Sequence, residues 1–175
     1  MIQSLDDIEK WYKTKDPWNY EDTEDDLLRK QILLSELPPQ TYSRVLDIGC
    51  GHGFVTRDLP GDNVIGVDIS SEAVKQAKRY ENNKTQFINA TIFDLNNILT
   101  ETFDLIIVTG VLYEHYIGNS LRLIYIIIDE LLDNNGILAS VHIKSWYQAR
   151  FPYLLITEYY YNYRNYIHSL EIYEK

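Results

Sequence analysis

Short apolar runs alternate along most of the chain with segments whose apolar residues recur every three to four positions. The runs predict buried strands and the periodic segments predict amphipathic helices, an alternation typical of an α/β sheet with crossover helices. The predicted strands are 44–48, 63–68, 85–90, 103–110 and 136–142. The predicted helices are 72–81, behind an N-cap at Ser70 or Ser71, a short one before Pro60 and Gly61, and 120–132 with Ile124, Ile127, Ile128 and Leu131 on one face.

The two ends of the chain depart from this alternation. Two extended runs, 155–163 and 166–173, are separated only by Arg164 and Asn165, which predicts an antiparallel hairpin that closes the sheet. At the amino end, Thr23 and Asp26 have the spacing of a capping box. The helix behind it should end at Pro38 and Pro39, and its predicted apolar face consists of Leu27, Leu28, Leu33, Leu34 and Leu37.

Composition limits the classes of protein that this chain can represent. With 175 residues, 45% of them hydrophobic, it can form one domain with a sizeable core. A net charge of -10 opposes nucleic-acid binding, which depends on Lys and Arg to neutralise phosphates. A single cysteine excludes an internal disulfide and fits a reducing compartment. Because no apolar run approaches the roughly 20 residues of a membrane span, we expect a soluble, cytoplasmic protein that binds neither membrane nor nucleic acid.

The stretch VLDIGCGHGF, from Val45 to Phe54, runs from the first strand into three glycines, Gly49, Gly51 and Gly53. A glycine-rich turn between a strand and a helix directs backbone N–H groups at a polar or anionic ligand. The dinucleotide fingerprint G-x-G-x-x-G requires a glycine where Phe54 stands, so a nicotinamide dinucleotide is the weaker alternative. We attribute the missing side chains to the close approach of the ligand.

Asp68 ends the second predicted strand, 19 residues after Gly49. The two oxygens of a carboxylate match the vicinal hydroxyls of a ribose. The ligand is therefore predicted to contain a nucleoside.

Four segments in order, VLDIGCGHG, GVDIS, FDLIIVTGVLYEH and NNGILASVH, resemble the motif set of class I S-adenosylmethionine-dependent methyltransferases from Val45 to the end of the chain. The resemblance implies a Rossmann-like α/β fold, with a seven-stranded, mostly parallel sheet and a carboxyl-terminal antiparallel hairpin. It also implies S-adenosylmethionine as cofactor and S-adenosylhomocysteine as product. Residues 1–175 would form one methyltransferase domain, with 1–40 as a helical lid segment and 41–175 as the cofactor-binding core.

The family's cofactor contacts carry over by position. Asp47 and the three loop glycines would hold the amino-acid end of the cofactor, Asp68 its ribose, and Ile69 its adenine. The remaining cofactor-site residues implied by the resemblance are Trp18, Tyr20, Cys50, Thr91, Ile92 and Thr109. Thr91 is a departure, because the family commonly has an acid there for the adenine amino group, and here Asp94 comes three residues later. No metal site is predicted.

Two further segments are similar to the NodS-like N-methyltransferases: DPWNY at Asp16–Tyr20 and VLYEH at Val111–His115. That group methylates a free amine on a glucosamine-containing oligosaccharide, so the resemblance implies an amino sugar, another saccharide or a small molecule as acceptor. Glu114 replaces the group's second aromatic residue, and Gly110 stands where an acid usually precedes the segment. The oligomeric state is left open.

Methyl transfer is an in-line displacement, so the acceptor must be positioned at the methyl carbon and an amine acceptor must first lose a proton. Side chains that follow the central strands lie at the edge where open α/β sheets bind ligands. The catalytic candidates are therefore Tyr113, Glu114 and His115 after the fourth strand and His142 at the end of the fifth. His142 or His115 would accept the proton, and Glu114 would steer a cationic amine.

Each candidate has a structural alternative. His142 can be a hydrogen-bonded structural histidine, while Glu114 and His115 can lie on a solvated loop. Trp18 and Tyr20 can either cover the cofactor or simply fasten the amino-terminal helix to the sheet. Cys50 is predicted to be a small loop residue rather than a nucleophile. The tyrosines of 159–166 can stack on sugar rings, although alternate members of a strand must face the core.

Two other functions stay open. One is O-methyl transfer to a sugar or small molecule with His142 as base, and the other is cofactor binding without catalysis, which Thr91 and Gly110 keep possible. Methylation of nucleic-acid amines is disfavoured by the net charge and by the lack of an N/D-P-P-Y stretch. Because no residues remain for a cap domain, we expect an open acceptor side that suits a bulky saccharide.

Overall fold

One mixed sheet forms the centre of the protein, for which a computed structural model describes residues 3–175. The strands are β1 (Arg44–Ile48), β2 (Asn63–Asp68), β3 (Thr85–Asn89), β4 (Phe103–Thr109), β5 (Leu132–Ile143), β6 (Leu154–Tyr163) and β7 (Tyr166–Glu174). Their order in the sheet is β3-β2-β1-β4-β5-β7-β6. β1 to β5 pair in parallel, whereas β7 is antiparallel to both β5 and β6. The predicted seven-stranded α/β fold with a terminal hairpin is confirmed.

Within the described part of the chain, six α-helices accompany the sheet: α1 (Leu5–Tyr12), α2 (Glu24–Glu36), α3 (Ser71–Ala77), α4 (Leu95–Ile98), α5 (Glu114–Ile117) and α6 (Leu121–Leu131). The same residues include 3₁₀ turns at Thr56–Asp58, Lys78–Tyr80 and Ile92–Asp94. Across residues 3–175, none of the helices has both the length and the apolar character needed to cross a bilayer.

Several predicted boundaries shift in the structure. The helix expected after the glycine loop is only the 3₁₀ turn Thr56–Asp58, because Pro60 and Gly61 follow too closely for a longer one. β5 begins at Leu132 rather than Gly136, since Leu132 already pairs with the start of β4 before the register shifts. Ser70 is the N-cap of α3, as one of the two predicted alternatives, and its hydroxyl accepts the Ala73 N–H at 3.1 Å.

The core lies on both faces of the central strands. Leu46 and Ile106 face the side covered by α6, while Leu105 and Ile107 face the side where α2 packs, and all four are fully buried. The predicted apolar face of α6 is buried along its length. Each such side chain contributes about 1.5–3 kcal/mol relative to an exposed one. The centre of the sheet is therefore a rigid support for the loops at its carboxyl edge.

The predicted leucine face of α2 is only partly correct. Leu33 and Leu37 are buried, but Leu27 and Leu28 are 43% and 54% exposed. The face that turns inward at the start of α2 is set by Asp26, which has no exposed surface. A buried carboxylate with strong partners outweighs the preference of two leucines for burial.

The prediction of a capping box at the start of α2 is wrong in detail. The Thr23 hydroxyl accepts no bond from the Asp26 N–H; instead it donates to the Asp26 carboxylate at 3.0 Å and to the Asn19 carbonyl. The same carboxylate accepts from Arg29 Nε at 2.7 Å and from the Tyr163 hydroxyl at 2.6 Å. Asp26 therefore ties α2 to the carboxyl-terminal hairpin.

The hairpin turns at Arg164, whose φ is +53°. Tyr163 pairs with Tyr166 and Tyr161 with His168. Because paired residues point to the same face of a sheet, and residues two apart do so as well, these four side chains form one polar aromatic surface. We call the side chains of Tyr161, Tyr163, Tyr166 and His168 the hairpin ladder.

Candidate cofactor and acceptor site

A cavity of about 580 Å³ lies at the carboxyl edge of the sheet and is lined by residues of α1, α2, the strand ends and the hairpin ladder. Ligands of open α/β sheets bind at this edge. All predicted site residues line the cavity except Gly53, Glu114 and His142. The structure therefore brings together most of the residues that the sequence assigned to one site.

The three loop glycines adopt backbone conformations that disfavour side chains, with φ of +81° at Gly49, +55° at Gly51 and +85° at Gly53. A Cβ would also lie 2.2 Å from Val111 Cγ2 at Gly49, 2.8 Å from the Tyr12 hydroxyl at Gly51 and 2.9 Å from Phe87 Cζ at Gly53. The missing side chains, which we attributed to the ligand, are thus required by the loop's own conformation and packing.

Backbone bonds hold the loop against β2. The N–H groups of Gly49 and Cys50 both donate to the Val67 carbonyl, at 2.8 and 3.0 Å. Burial of the Cys50 side chain raises the pKa of its thiol well above the usual range, which keeps the thiol protonated. Cys50 has the properties of a small packing residue at the cavity wall.

Asp47 places a carboxylate at the inner end of the cavity. Only 2% of the residue is exposed, and Thr56 donates its hydroxyl hydrogen to the carboxylate at 2.6 Å. Burial raises the pKa of Asp47 to about 6, against the opposing effect of the Thr56 bond. At neutral pH Asp47 is therefore an anion whose charge is poorly compensated, which suits a cationic ammonium group.

Asp68 is fixed in orientation by the backbone. The Gly51 N–H donates to one carboxylate oxygen at 2.8 Å and the Ser70 N–H to the other at 2.9 Å. Burial raises the pKa of this carboxyl, and these two bonds oppose the rise. Each oxygen keeps a further lone pair, so the carboxylate can accept hydrogen bonds from two neighbouring hydroxyls.

Apolar side chains flank Asp68 on the cavity wall. Ile69 is 39% exposed and Phe93 is 38% exposed, while Ile92 is buried behind them. The Thr91 hydroxyl donates to the Asp94 carboxylate at 2.7 Å and lines the cavity, whereas Asp94 does not. Ile69 and Phe93 therefore add partly exposed apolar surface to the cavity wall, of the kind that can pack against a planar base.

The end of β4 adds a polar atom and free space. Thr109 has a buried hydroxyl with no hydrogen-bond partner within residues 3–175. At Gly110, a Cβ would meet no atom closer than 4.0 Å. Buried polar atoms are normally paired, so an unpaired one facing a cavity indicates a ligand contact. Together with Asp47 and Asp68, these residues fit S-adenosylmethionine.

Aromatic residues of the amino-terminal segment cover this part of the cavity. Trp11 packs edge to face on Trp18, with ring centres 4.9 Å apart, and Trp18 stacks on Tyr20 at 6.3 Å. Tyr20 in turn lies 4.5 Å below the guanidinium of Arg29. Tyr12 lies against the glycine loop. The amino-terminal segment thus contributes four aromatic side chains to the lining of the cavity.

Glu9 fastens α1 beside the glycine loop. Its carboxylate accepts the N–H groups of Ser71 at 2.7 Å and Glu72 at 3.1 Å, at the start of α3. It also accepts the Ser70 hydroxyl at 2.8 Å. An acidic group at a helix start is stabilised by the unpaired N–H groups there. The cover and the Asp68 region therefore share one hydrogen-bonded junction.

Two of the predicted catalytic residues lie together in the cavity. The Tyr113 hydroxyl accepts the Ile143 N–H at 2.8 Å, and burial raises the pKa of Tyr113 to about 12, so it stays protonated. His115 stacks on Tyr113 with ring centres 5.5 Å apart, and burial lowers the pKa of His115. A phenol and a neutral imidazole therefore stand side by side after β4.

Glu114 and His142 lie apart from this pair. Glu114 begins α5 with an exposed side chain outside the cavity lining. His142 is 2% exposed, with Nε2 3.7 Å from a Glu171 carboxylate oxygen and its ring against Tyr147. Burial lowers the pKa of His142 to about 4. His142 therefore has the surroundings of a structural histidine, and Glu114 those of a solvated surface residue.

Several cavity residues were not identified from the sequence. Among them, Arg29 comes from α2, Phe93 from the turn after β3, Trp146 from the segment after β5 and His168 from β7, whereas the tyrosines of the hairpin ladder were already candidates for stacking on a sugar. The ladder had one sequence signal, namely aromatic or histidine side chains at alternate positions on both sides of the predicted turn. No motif marks Arg29. Within residues 3–175, no group of His, Cys, Asp and Glu side chains is arranged to hold a metal ion.

Several solved structures with a similar fold are methyltransferases. The N-methyltransferase NodS from Bradyrhizobium japonicum WM9, in complex with S-adenosylhomocysteine, has a TM-score of 0.81 and 19% identity over 98% of this chain and 97% of that chain. The magnesium protoporphyrin IX methyltransferase ChlM from Synechocystis PCC 6803, with bound S-adenosylmethionine, has a TM-score of 0.73 and 19% identity over 100% and 98% of the two chains. At these identities the likeness establishes the fold.

A curated relative and a family profile add sequence comparisons. The mitochondrial ubiquinone biosynthesis O-methyltransferase of Bos taurus is 29% identical over 101 residues, which span 53% of this chain and 27% of that protein. The profile described as a methyltransferase domain matches residues 40–167, well over half of the chain. This chain therefore belongs to the methyltransferase domain family.

Proposed function

We propose that this methyltransferase acts on the amine of an amino sugar or a related saccharide. The observation that carries the proposal is the composition of one part of the cavity, where aromatic rings and imidazoles line the wall; we call this part the acceptor half, and it consists of Tyr113, His115, Trp146, Tyr166 and His168. The NodS structure supports it, because its likeness extends over 98% of this chain and that protein is an N-methyltransferase.

In this proposal, individual residues of the cofactor half of the cavity each bind one part of S-adenosylmethionine. S-adenosylmethionine supplies a methyl group activated by a positively charged sulfur. Asp68 holds the ribose hydroxyls, and Ile69 with Phe93 encloses the adenine. Asp47 pairs with the ammonium group of the amino-acid end. Arg29, whose Nε is bonded to Asp26, lines the same cavity and supplies a cation for the carboxylate.

The acceptor half suits the apolar faces of sugar rings. Trp146 is 48% exposed and Tyr166 is 41% exposed, and their rings meet edge to face at 5.2 Å. Aromatic side chains that are partly exposed at a cavity mouth offer stacking surfaces whose far side is open to solvent. This end therefore leaves room for a sugar that extends beyond the cavity.

Catalysis here depends mainly on position. The acceptor nitrogen must stand roughly 3–3.5 Å from the methyl carbon and in line with the bond that breaks. An ammonium group has no lone pair, so a neutral imidazole that accepts its proton raises the reactive fraction. His115 and His168 both line the cavity, and burial lowers the pKa of each.

O-methyl transfer is the second candidate, favoured by the relation to the bovine O-methyltransferase. The cofactor half would serve either reaction. A hydroxyl acceptor needs a stronger base than an amine does, because its proton is far less acidic. Identifying the acceptor therefore distinguishes N-methyl transfer from O-methyl transfer.

Cofactor binding is tested by calorimetric titration with S-adenosylhomocysteine. We expect Asp68→Ala to weaken binding at least about tenfold, because it removes charge-assisted hydrogen bonds to the ribose. Asp62→Ala, an exposed acid outside the cavity, is the matched control. Equal affinities in the wild type and Asp68→Ala would contradict the assignment of the ribose site.

The acceptor is tested by mass spectrometry of D-glucosamine and deacetylated chitin oligosaccharides incubated with enzyme and S-adenosylmethionine. N-acetyl-D-glucosamine is the control, since it has the same hydroxyls and no free amine. We expect a methylated amine with the first two and no product with the control. Methylation of the control would indicate O-transfer, and no product with any of them would exclude amino sugars.

A further inference from the structure

His168 is a buried histidine in the wall of the acceptor half. It lies in β7, only 8% exposed, and lines the cavity. It pairs with Ile143 of β5 on one side and with Tyr161 of β6 on the other. Both of these neighbours also line the cavity. His168 therefore occupies the centre of a three-strand wall, beside the end of β5.

Aromatic neighbours hold the ring of His168 in place. Tyr161 stacks on it with ring centres 5.7 Å apart and planes 26° from parallel, and Tyr163 meets it edge to face at 5.1 Å. Two contacts of this kind restrict rotation of the imidazole. The ring is thus oriented before any ligand arrives.

The Nδ1 atom of His168 has no hydrogen-bond partner among residues 3–175, although it is buried. Leaving a buried ring nitrogen unpaired is unfavourable, because its hydrogen bond to water is lost and not replaced. His142, the neighbouring buried histidine, instead has Ser140 at 3.4 Å and Glu171 at 3.7 Å. His168 therefore combines a fixed ring that lines the cavity with a ring nitrogen that has no protein partner, and an imidazole in such surroundings is available to a ligand.

We infer that His168 accepts a hydrogen bond from the acceptor nitrogen and takes its proton before the methyl group is transferred. This inference rests on the proposed amine acceptor. The ammonium N–H bond breaks and its proton goes to the imidazole, leaving the lone pair on nitrogen. That lone pair forms the new N–C bond as the C–S bond breaks, and the sulfur leaves with the bonding electrons as a neutral thioether. The imidazolium then releases the proton to solvent.

The charge around His168 favours the neutral ring that this role requires. Burial lowers its pKa, the Tyr166 carbonyl opposes this, and the positive charge of Arg29 lowers the pKa further. The other titratable groups packed on it are Tyr161 and Tyr163 from β6 and His142 from β5. The ring is therefore available as a proton acceptor at neutral pH.

The test uses nuclear magnetic resonance on protein with isotope-labelled histidine. The chain has four histidines, so His168→Gln and His115→Gln assign the two relevant signals. The pKa of each is measured in two complexes: with S-adenosylhomocysteine, and with sinefungin, an analogue that carries a protonated amine in place of the transferred methyl group. If His168 faces the point where the methyl group is transferred, the positive charge of sinefungin should lower the pKa of His168. The expected change is an acid dissociation constant about ten times larger in the sinefungin complex.

The comparison with His115 decides the outcome. A shift at His168 that exceeds the shift at His115 supports the inference. An unchanged His168, or a larger change at His115, overturns it, as does a protein that binds neither ligand. A shifted His168 in a protein that methylates no amine would overturn the proposed acceptor and leave His168 at the transfer point. With glucosamine as substrate, His168→Gln should lower kcat and leave an acidic limb that follows only the pKa of the substrate's own ammonium group, whereas a purely structural role would lower kcat and leave the position of that limb unchanged.

Discussion

Asp26 offers the sharpest test of how the cavity walls are held together. Its carboxylate has no exposed surface and receives bonds from Arg29 at 2.7 Å and Tyr163 at 2.6 Å. Arg164 approaches it at 3.4 Å. We predict that Asp26→Ala destabilises the protein severely, because Arg29 is left buried with no counter-charge.

The magnitude follows from the burial of both partners. The side chain of Arg29 is only 10% exposed and that of Asp26 is fully buried. Breaking a buried ion pair by removing one partner costs about 3–5 kcal/mol. Asp26→Asn keeps an acceptor oxygen and loses only the charge, so it should cost about 1.5–3 kcal/mol. Asp25→Ala, an exposed acid on the same turn, should cost less than about 1 kcal/mol.

Urea unfolding measures these differences. For a slope near 2 kcal/mol/M, Asp26→Ala should lower the midpoint by about 1.5–2.5 M at an unchanged slope. The double variant Asp26→Ala/Arg29→Met removes the unpaired cation and should regain most of the loss. A midpoint for Asp26→Ala equal to that of Asp25→Ala, or a double variant no better than Asp26→Ala, would refute the view that the buried charge is responsible.

Three further predictions concern Glu9, Asp47 and His142. Glu9→Gln should weaken the binding of S-adenosylhomocysteine about threefold to tenfold, as measured by calorimetry, because the variant lacks the negative charge at the start of α3. An unchanged affinity would contradict this. The pKa of Asp47 is raised to about 6, so its cost to stability appears as pH rises through about 4 to 6. At pH 7 the free energy of unfolding of Asp47→Asn, measured with urea, should therefore exceed that of the wild type by about 3 kcal/mol. At pH 4 the two proteins should unfold at nearly the same urea concentration. The pKa of His142 is lowered to about 4, so the wild type should lose about 3 kcal/mol as pH falls from 6.5 to 4. His142→Gln should lack that loss, and a parallel decline of both proteins would count against it.

The central strands and the glycine loop could be predicted because their signals are local. β1, β2 and β4 are short, mainly apolar runs, and the loop conformation is encoded by glycines at Gly49, Gly51 and Gly53. Asp68 could be found because it ends the strand next to the loop. Such features depend on residues that are close in sequence or are joined by one crossover connection. Hydrophobic periodicity and the spacing of motifs are enough to predict them.

His142 shows where this reasoning stops. Its position at the end of β5 was predicted, but successive side chains of a strand point to opposite faces. Val141 and Ile143 line the cavity and His142 between them does not. The sequence supplies no local signal for which of the two faces borders the ligand. His168 reaches the cavity through the pairing of β7 with β5, a contact between residues far apart in the chain.

The cover over the cofactor site and the ribose site are built on the same residues. Ser70 donates its N–H to Asp68 at 2.9 Å and its hydroxyl hydrogen to Glu9 at 2.8 Å. Gly51 donates to the same Asp68 and lies under the Tyr12 hydroxyl. A ligand that holds Asp68 in place therefore also favours the position of α1, and by linkage a fastened α1 must favour the ligand by the same free energy. The affinity lost in Glu9→Gln measures that coupling, provided that the sheet itself is as stable in the variant as in the wild type.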